Sequence, residues 1–346
     1  MMKLLHSADW HLDSPIQGRT ESQTGQLKDA LMSVPQQITA LAKAEGCDLI
    51  LLSGDLFDGP FRPDTLAMVQ RVLADAGCPV FIAPGNHDPF CPGSPWMQPG
   101  WPENVHIFTG AMTSIPLPHL DCRVYGAAFQ RDESPALLEG FRAECGERYA
   151  IGVLHGDPTQ LQSPHNPITR LQVQESGLDY LALGHIHKTG SFQTGSTLCA
   201  WPGCPMGRGF DELGDKGVFI VTLDGGCEAK FVPLNVPRFH WLRATPDTLA
   251  QVLPAVGNRD FYRIDLTGES EPLDIRLMAA AFPGFPNLQL RDQTVPPLDL
   301  WANAGADTLE GVFFQLLREA DADEETIQLA ARISRQILLG QEVELP

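Results

Sequence analysis

Short hydrophobic runs alternate with amphipathic segments through the first two thirds of the chain. Amphipathic stretches at about 26–45 and 64–76 separate the first three runs, as crossover helices between parallel strands would. The runs, in order, are KLLHSAD, DLILLSGD, PVFIAPGNHD, CRVYGAAF, YAIGVLHGD, DYLALGHIH, GVFIVTL and AKFVPL. This pattern predicts an α/β domain with layers of sheet and helix over residues 1–235.

The pattern changes at about residue 236, where a second domain is predicted over 236–296. It reads as strand RFHWLRA, helix 246–256, strand FYRIDLTG, helix 273–281 and strand NLQLRD, which is a compact β-α-β-α-β unit. After the two prolines at 296–297, the segment 297–346 holds two helical stretches. They cover 307–319 and 323–339, and each has one apolar face.

The apolar positions of these last helices define two rows at helical spacing. The rows consist of Leu309, Val312, Phe313, Leu316 and Leu317, and of Ile327, Ala330, Ala331, Ile333, Ile337 and Leu338. Two interpretations stay open: the pair packs on its own domain, or it docks a partner.

Composition favours a folded protein of the cytoplasm. Of 346 residues 43% are hydrophobic, and no apolar run approaches the roughly 18 residues of a membrane helix. The N-terminus lacks the pattern of an export signal. Eight cysteines occur without a C-x-x-C pair, so we expect reduced thiols.

The formal net charge of −19 argues against a surface coated in basic patches. Part of the excess lies in the tail, because residues 299–346 hold 3 basic and 10 acidic side chains while 236–298 hold 6 and 7. Divalent cations at an active site would offset more of it.

Most of the first six runs end in His, Asp or Asn, which places polar side chains beyond the carboxyl ends of strands. Ligands of open α/β sheets bind there. Five motifs follow in order: Asp9-x-His11, Gly54-Asp55-Leu56-Phe57-Asp58, Gly85-Asn86-His87-Asp88, His155-Gly156 and Gly184-His185-Ile186-His187. Two divalent cations need such a mixture of carboxylate, amide oxygen and imidazole, with one carboxylate between them. The Pro/Gly/Trp-rich loop 89–104 either forms part of a substrate rim or is a surface loop held by its tryptophans.

The motif series resembles the calcineurin-like metallophosphoesterase superfamily, whose signature D-x-H, G-D-x-x-D, G-N-H-D, H and G-H-x-H is present in full. The resemblance implies a layered β-sandwich metallophosphoesterase domain, with a smaller α+β cap domain and C-terminal helices. It implies that Asp9, His11, Asp55 and His187 hold one metal. Asp55 would bridge to a second metal held by Asn86, His155 and His185.

The same resemblance places His87 near the scissile phosphate, where an imidazolium protonates the leaving group. Asp88 would orient the ring of His87, and the role of Asp58 is left open. Arg208 and Lys188 are close in sequence to the ligands and are candidates for binding phosphate, or else surface residues. The other histidines, His6, His106, His119, His165 and His240, are interpreted as ordinary core or surface residues.

Within the superfamily, SADWHLDSP, APGNHDPF, LDYLALGHIHK and WPGCPMGRGFDELGDKGVFIV resemble SbcD-type and YhaO-type DNA-repair exonucleases. This implies a DNA exonuclease with two divalent metal ions, most often Mn²⁺. It also implies an SMC-like ABC ATPase (SbcC-type) as partner, which C-terminal helices bind. A homodimer is left open and no membrane association is expected. The alternatives are a small-molecule phosphodiesterase or phosphatase of the same superfamily and a non-catalytic scaffold.

Overall fold

The hydrophobic runs form strands in the computed structural model, which describes residues 1–16, 19–144 and 146–340. The strands in chain order are β1 Met2–Ser7, β2 Leu49–Leu52, β3 Val80–Ile82, β4 Val105–Ile107, β5 Thr113–Leu117, β6 Cys122–Gly126, β7 Tyr149–His155, β8 Tyr180–Gly184, β9 Gly190–Thr194, β10 Thr197–Trp201, β11 Gly217–Leu223, β12 Cys227–Pro233, β13 Phe239–Ala244, β14 Phe261–Leu266 and β15 Leu288–Asp292. The α-helices are α1 Glu21–Glu45, α2 Pro63–Ala74, α3 Arg170–Glu175, α4 Leu249–Val252, α5 Ile275–Ala280, α6 Leu309–Arg318 and α7 Glu324–Leu338.

Two six-stranded sheets carry the first part of the chain, which confirms the predicted layered α/β fold. The first has the order β12-β11-β1-β2-β3-β4, in which β1 to β4 are parallel. The second has the order β5-β6-β7-β8-β10-β9, in which β6, β7 and β8 are parallel. The carboxyl ends of neighbouring parallel strands therefore share one edge in each sheet.

Successive residues of the central strands point to opposite faces of the sheet, and both faces are buried, which explains the apolar runs in the sequence. Leu4 packs in the hydrophobic core that also contains strands of the second sheet, whereas Leu5 packs against the helices on the other face. Leu51 and Leu52 divide in the same way. Strands that are buried on both faces favour apolar residues at successive positions.

Helix α1 covers the outer face of the first sheet. Its Thr20 and Gln23 form a capping box, and Gly46 ends it in the left-handed conformation at φ 64°. The buried residues on the helix follow a spacing of three or four: Leu27, Leu31, Val34, Ile38 and Ala42.

The chain divides into two compact units, Met1–Trp241 with Arg259–Tyr262 and Leu242–Asn258 with the residues from Arg263 onward. The strands β13, β14 and β15 pair in that order, with α4 and α5 in the connections. The helix predicted over 246–256 is wrong in length: a 3₁₀ turn leads into α4, which ends at Val252. Pro254 accounts for this end, since the residue before a proline is disfavoured in helical conformation.

In the second unit, Arg335 joins α7 to its surroundings. Its side chain is buried and donates hydrogen bonds to Glu310 of α6 and to the carbonyl oxygen of Ala302 at 2.6 Å. Its guanidinium lies 3.9 Å from the ring centroid of Phe314. Helices α6 and α7 thus bury Phe314, Ile327 and Ala331. The first predicted apolar row, on α6, is largely exposed.

Two remaining sequence predictions concern thiols and membranes. The seven cysteines within the described ranges are free, and Cys145 lies outside those ranges. Among the helices that the structure describes, none has the length and apolar character needed to cross a bilayer.

Candidate metal centre

The loops that follow five strands bring the predicted ligands together. Asp9 and His11 follow β1, Asp55 follows β2 and Asn86 follows β3, all at one edge of the first sheet. From the second sheet, His155 ends β7, while His185 and His187 follow β8. Ligand atoms of Asp9, His11 and His187 lie within 4.8 Å of one another, as do those of Asp9, Asp55 and His155.

Left-handed backbone at four of these positions fixes where the side chains point. The φ angles are 54° at Asp9, 48° at His11, 53° at Asp55 and 88° at His185. Non-glycine residues adopt this region rarely and at a cost, so the surrounding contacts must impose it. The amide N–H of Asp9 donates to the carbonyl oxygen of Gly54 at 3.0 Å, and that of His11 donates to Asp55 at 2.9 Å.

Nitrogen and oxygen ligand atoms converge in two places. In the first, Nε2 of His11 lies 3.0 Å from Nε2 of His187. In the second, Oδ1 of Asn86 lies 3.0 Å from Nε2 of His155 and 3.2 Å from Nδ1 of His185. Asp55 lies close to both groups of ligand atoms, since its Oδ2 is 3.3 Å from Nε2 of His155 and 3.9 Å from Nε2 of His11.

Two buried atoms of this cluster have no hydrogen-bond partner among the described residues, Oδ2 of Asp9 and Nδ1 of His11. Burial of an unsatisfied polar group is costly, and a coordinated cation would remove that cost at Oδ2 of Asp9. Mixed oxygen and imidazole nitrogen ligands suit divalent first-row transition metals. The residues present therefore fit the two divalent cations that the sequence motifs imply.

Electrostatics at the cluster are those of a cation site. Burial lowers the pKa of His11 to about 2 and that of His185 to about 4, so that both imidazoles are neutral at pH 7 and keep a lone pair for a metal. Burial raises the pKa of Asp9 to about 6. Burial of Asp55 acts in the same direction, but His155 outweighs it and holds the pKa of Asp55 well below its usual range. Burial would lower the pKa of His155, but the charges of Asp55 and Asp9 raise it to about 9.

The predicted role of Asp88 is wrong, because its carboxylate does not face the ring of His87. Asp88 is buried and accepts hydrogen bonds from the backbone amides of Gly85 (2.8 Å), Asp55 (3.1 Å), Leu56 (2.7 Å) and Phe57 (3.2 Å). It therefore ties the loop after β3 to the loop after β2. Burial, together with the charge of Asp55, raises the pKa of Asp88 to about 8.

Asp58, whose role the sequence left open, holds His87 instead. Its Oδ1 lies 2.9 Å from Nδ1 of His87, and its Oδ2 lies 3.7 Å from Nη1 of Arg208. The side chain of His87 is 46% exposed, far more than that of the neighbouring His11 at 2%. His87 therefore stands at the rim of the cluster, where a substrate has access to it.

Glu212 is a residue of the site that the sequence motifs do not single out. Its Oε1 lies 2.6 Å from Nδ1 of His187 and accepts from Nη2 of Arg208 at 3.1 Å. Its Oε2 accepts from the backbone amide of Arg208 at 2.7 Å. Although burial would raise the pKa of Glu212, its hydrogen bond with His187 and the charge of Arg208 hold it well below the usual range.

The two predicted phosphate-binding residues differ in placement. Arg208 joins Glu212 and Asp58 at the edge of the cluster. Lys188 is exposed, and no hydrogen bond or ion pair joins it to another described residue. The nearby buried lysine is Lys216, whose Nζ donates to the carbonyl oxygen of His187 at 3.3 Å.

Two histidines without motif context have defined surroundings. His6 is buried between the hydroxyls of Tyr180, at 2.7 Å, and Ser53, at 2.9 Å, as expected of a core residue. His165 is closer to the site than expected, because its ring centroid lies 5.0 Å from that of His185.

Comparison with known proteins agrees with this geometry. Residues 2–189 match the family described as calcineurin-like phosphoesterase. "Uncharacterized metallophosphoesterase YhaO" of Bacillus subtilis (strain 168) is 32% identical over 94% of this chain and 79% of its own. The SbcD subunit of the SbcCD nuclease of the same organism is 26% identical over 66% of this chain and 68% of its own. The crystal structure of a dimetal phosphatase from Danio rerio has a TM-score of 0.45 and 11% identity over 66% of this chain and 96% of its own. With its five motifs assembled at one edge of the paired sheets, the chain belongs to the calcineurin-like phosphoesterase family of metal-dependent hydrolases.

Proposed function

We propose that this chain is a metal-dependent DNA exonuclease that hydrolyses phosphodiester bonds with two divalent cations, and that these cations are Mn²⁺. The observation that carries the proposal is that the exposed imidazole of His87 lies at the rim of a buried cluster of candidate metal ligands. The similarity to a nuclease subunit and to a metallophosphoesterase over most of the chain supports it.

In this proposal the ligands divide into two sets that share Asp55. One set is Asp9, His11, Asp55 and His187; the other is Asp55, Asn86, His155 and His185. Two divalent cations held there would neutralise charge on the phosphate and make a water molecule more acidic.

His87 performs the acid step. Its exposed ring gives a proton to the oxygen that leaves the phosphorus, which would otherwise depart as an alkoxide. Asp58 accepts at Nδ1 and so directs the other ring nitrogen, Nε2, towards the substrate. Arg208, which faces Asp58 and Glu212, is suited to a phosphate oxygen at the rim of the cluster. The exposed Lys188 stays a weaker proposal for the same task.

The proposal extends to partners. The exposed Leu309, Val312, Phe313 and Leu316 leave an apolar surface on α6 that suits the SMC-like ABC ATPase implied by the SbcD-type resemblance. DNA is the proposed substrate, and the 236–296 unit is proposed to contact it or to restrict access to the metals. Free thiols fit a cytoplasmic protein. A homodimer stays a hypothesis, which light scattering tests.

The test compares linear duplex DNA with a small chromogenic phosphodiester, for the wild type and two histidine variants. His87→Ala should keep its metals and its DNA affinity but lose about 10²–10⁴-fold in rate, the usual contribution of general acid catalysis. His119→Ala, which removes an exposed histidine outside the cluster, is the matched control and should retain full activity.

A small-molecule phosphatase is the competing function. Hydrolysis of phosphomonoesters without any cleavage of DNA would favour it and would refute the nuclease proposal. Loss of metal from His87→Ala would show instead that His87 is a ligand.

A further inference from the structure

A cleft of about 380 Å³ lies beside His87 and has no part in the chemistry described above. Its walls come from the loop after β2 and from the Pro/Gly-rich loop after β3. The lining residues that matter here are His87, Pro60, Phe61, Pro89, Pro92 and Pro95. None of the seven candidate metal ligands lines it, so the cleft adjoins His87 and is distinct from the ligand cluster.

Internal contacts hold the cleft in shape. The amide N–H of Phe90 donates to the carbonyl oxygen of Phe129 at 2.7 Å, and that of Ser94 donates to Cys91 at 3.0 Å. The indole N–H of the buried Trp96 donates to the carbonyl oxygen of Asp88, and its ring packs on Phe57 at 5.6 Å. A binding surface that is formed before the ligand arrives loses little entropy on binding.

The lining indicates the chemistry of the occupant. Its eleven described lining residues include four prolines and one phenylalanine, Phe61, and lysine and arginine are absent from them. The carboxylate of Asp88 is engaged by backbone amides beneath the surface. A phosphate would find no cationic partner here besides His87, whereas a flat neutral ring finds apolar surfaces on which to stack.

We propose that this cleft binds the base of the nucleoside that leaves during hydrolysis. The inference rests on the proposed function. In the reaction, the oxygen of a water molecule bonds to phosphorus, the bond from phosphorus to the leaving oxygen breaks, and that oxygen takes a proton from His87. The leaving oxygen must therefore contact His87, and the nucleoside attached to it continues into the adjoining cleft.

The test uses dinucleoside monophosphates with the wild-type protein and Mn²⁺. Three substrates are compared: one with both bases, one abasic on its 5′ side and one abasic on its 3′ side. The product released without phosphate identifies the leaving nucleoside. Removal of the base from that nucleoside should lower kcat/KM about tenfold, within the range of base stacking on aromatic side chains. Removal of the other base should have a smaller effect.

Variants connect the effect to the cleft. Phe61→Ala should reduce the ratio of kcat/KM between the intact and the abasic substrate towards one, and the exposed Pro92→Ala should reduce it in part. Phe192→Ala, which alters a half-buried phenylalanine on β9 outside the cleft, is the control and should keep the wild-type ratio. Because the readout is a ratio within one protein, partial loss of folded material does not affect it.

Three results would overturn the inference. Equal kcat/KM for intact and abasic leaving nucleosides would refute the cleft while the nuclease proposal stands. The same would follow if the wild-type ratio persisted in both Phe61→Ala and Pro92→Ala. If DNA and the dinucleoside monophosphates all resist hydrolysis while phosphomonoesters are cleaved, the proposed function itself fails and the cleft inference fails with it.

Discussion

Replacement of Glu212 by glutamine tests whether a carboxylate behind a candidate ligand controls metal binding. Glu212 is 8% exposed and makes contacts to His187 and to two donors of Arg208. The Glu212→Gln variant keeps the size of the side chain but exchanges one acceptor oxygen for an NH₂ group. At least one of the contacts is then lost, because the new group only donates.

The expected magnitude follows from the tautomer of His187. Its Nδ1 carries the proton and donates a hydrogen bond to the carboxylate of Glu212 at 2.6 Å. The lone pair of Nε2 therefore faces the cluster. Without that acceptor the proton is free to move to Nε2 and the ring is free to turn. Loss of such a partner typically costs about 10–100-fold in metal affinity or activity, which is about 1.4–2.7 kcal/mol.

The assay is calorimetric titration of metal-stripped protein with MnCl₂, combined with thermal unfolding to check the fold. We expect the Kd for manganese to rise about 10–100-fold, and kcat at saturating manganese to fall less. Glu228→Gln, an exposed change on β12, is the control and should bind manganese as the wild type does. A Kd within about twofold of the wild-type value would refute the reasoning and leave Glu212 as an anchor for Arg208 alone.

The remaining predictions concern four other perturbations. Asp55→Ala removes the carboxylate that reaches both ligand groups, so elemental analysis should find both metals lost and hydrolysis abolished; retention of two metals contradicts the assignment. Because burial lowers the pKa of His6 from 6.5 to about 3, the unfolded state takes up a proton that the folded state excludes; His6 should contribute a loss of about 2 kcal/mol of stability between pH 7 and pH 5, so a folded His6→Gln variant should show a pH-dependent change that differs from that of the wild type by this amount in denaturant titrations. Arg335→Met should lower the free energy of unfolding by about 2 kcal/mol, since buried charged hydrogen bonds disappear; an unchanged melting profile would show that these bonds contribute little. Truncation after Leu300 should leave a phosphoesterase that binds metal but no longer co-purifies with the proposed SMC-like ATPase partner, and continued association would place the docking surface elsewhere.

The sequence predicted the strands that are apolar on both faces far better than the others. β1, β2, β7 and β8 are buried throughout or nearly so, and each has adjacent apolar residues at its centre. The strand β9, with the sequence GSFQT, lies at the edge of its sheet and alternates between exposed and half-buried residues. Short edge strands such as β4, β5 and β9 carry little hydrophobic signal, which is why the pattern does not predict them. The pattern also does not predict β10, although this strand is mostly buried between β8 and β9.

At the site, the sequence identified which residues would meet but not how they would pair. The motif order predicted the convergence of the seven candidate ligands, whose metal assignments stay predictions. It did not show that Asp58, rather than Asp88, faces His87, because both carboxylates are compatible with the spacing of the motifs. Glu212 lies in an irregular loop 25 positions beyond its partner His187. Neither a hydrophobic periodicity nor a short sequence motif indicates such a contact. The one signal for Glu212 in the sequence is that it lies in a segment that carries the family resemblance.

The division of the cluster between two sheets has a consequence for protein synthesis. Asp9, Asp55 and Asn86 emerge from the ribosome early, whereas His155 emerges at the end of β7, and His185, His187 and Glu212 emerge only after β8. Because domains generally fold as units while the chain emerges, a nascent chain that ends before β8 holds the carboxylates of the centre without the imidazoles of His185 and His187. Hydrolytic capacity would thus arise only after His187 has emerged, when the candidate ligands from both sheets are present.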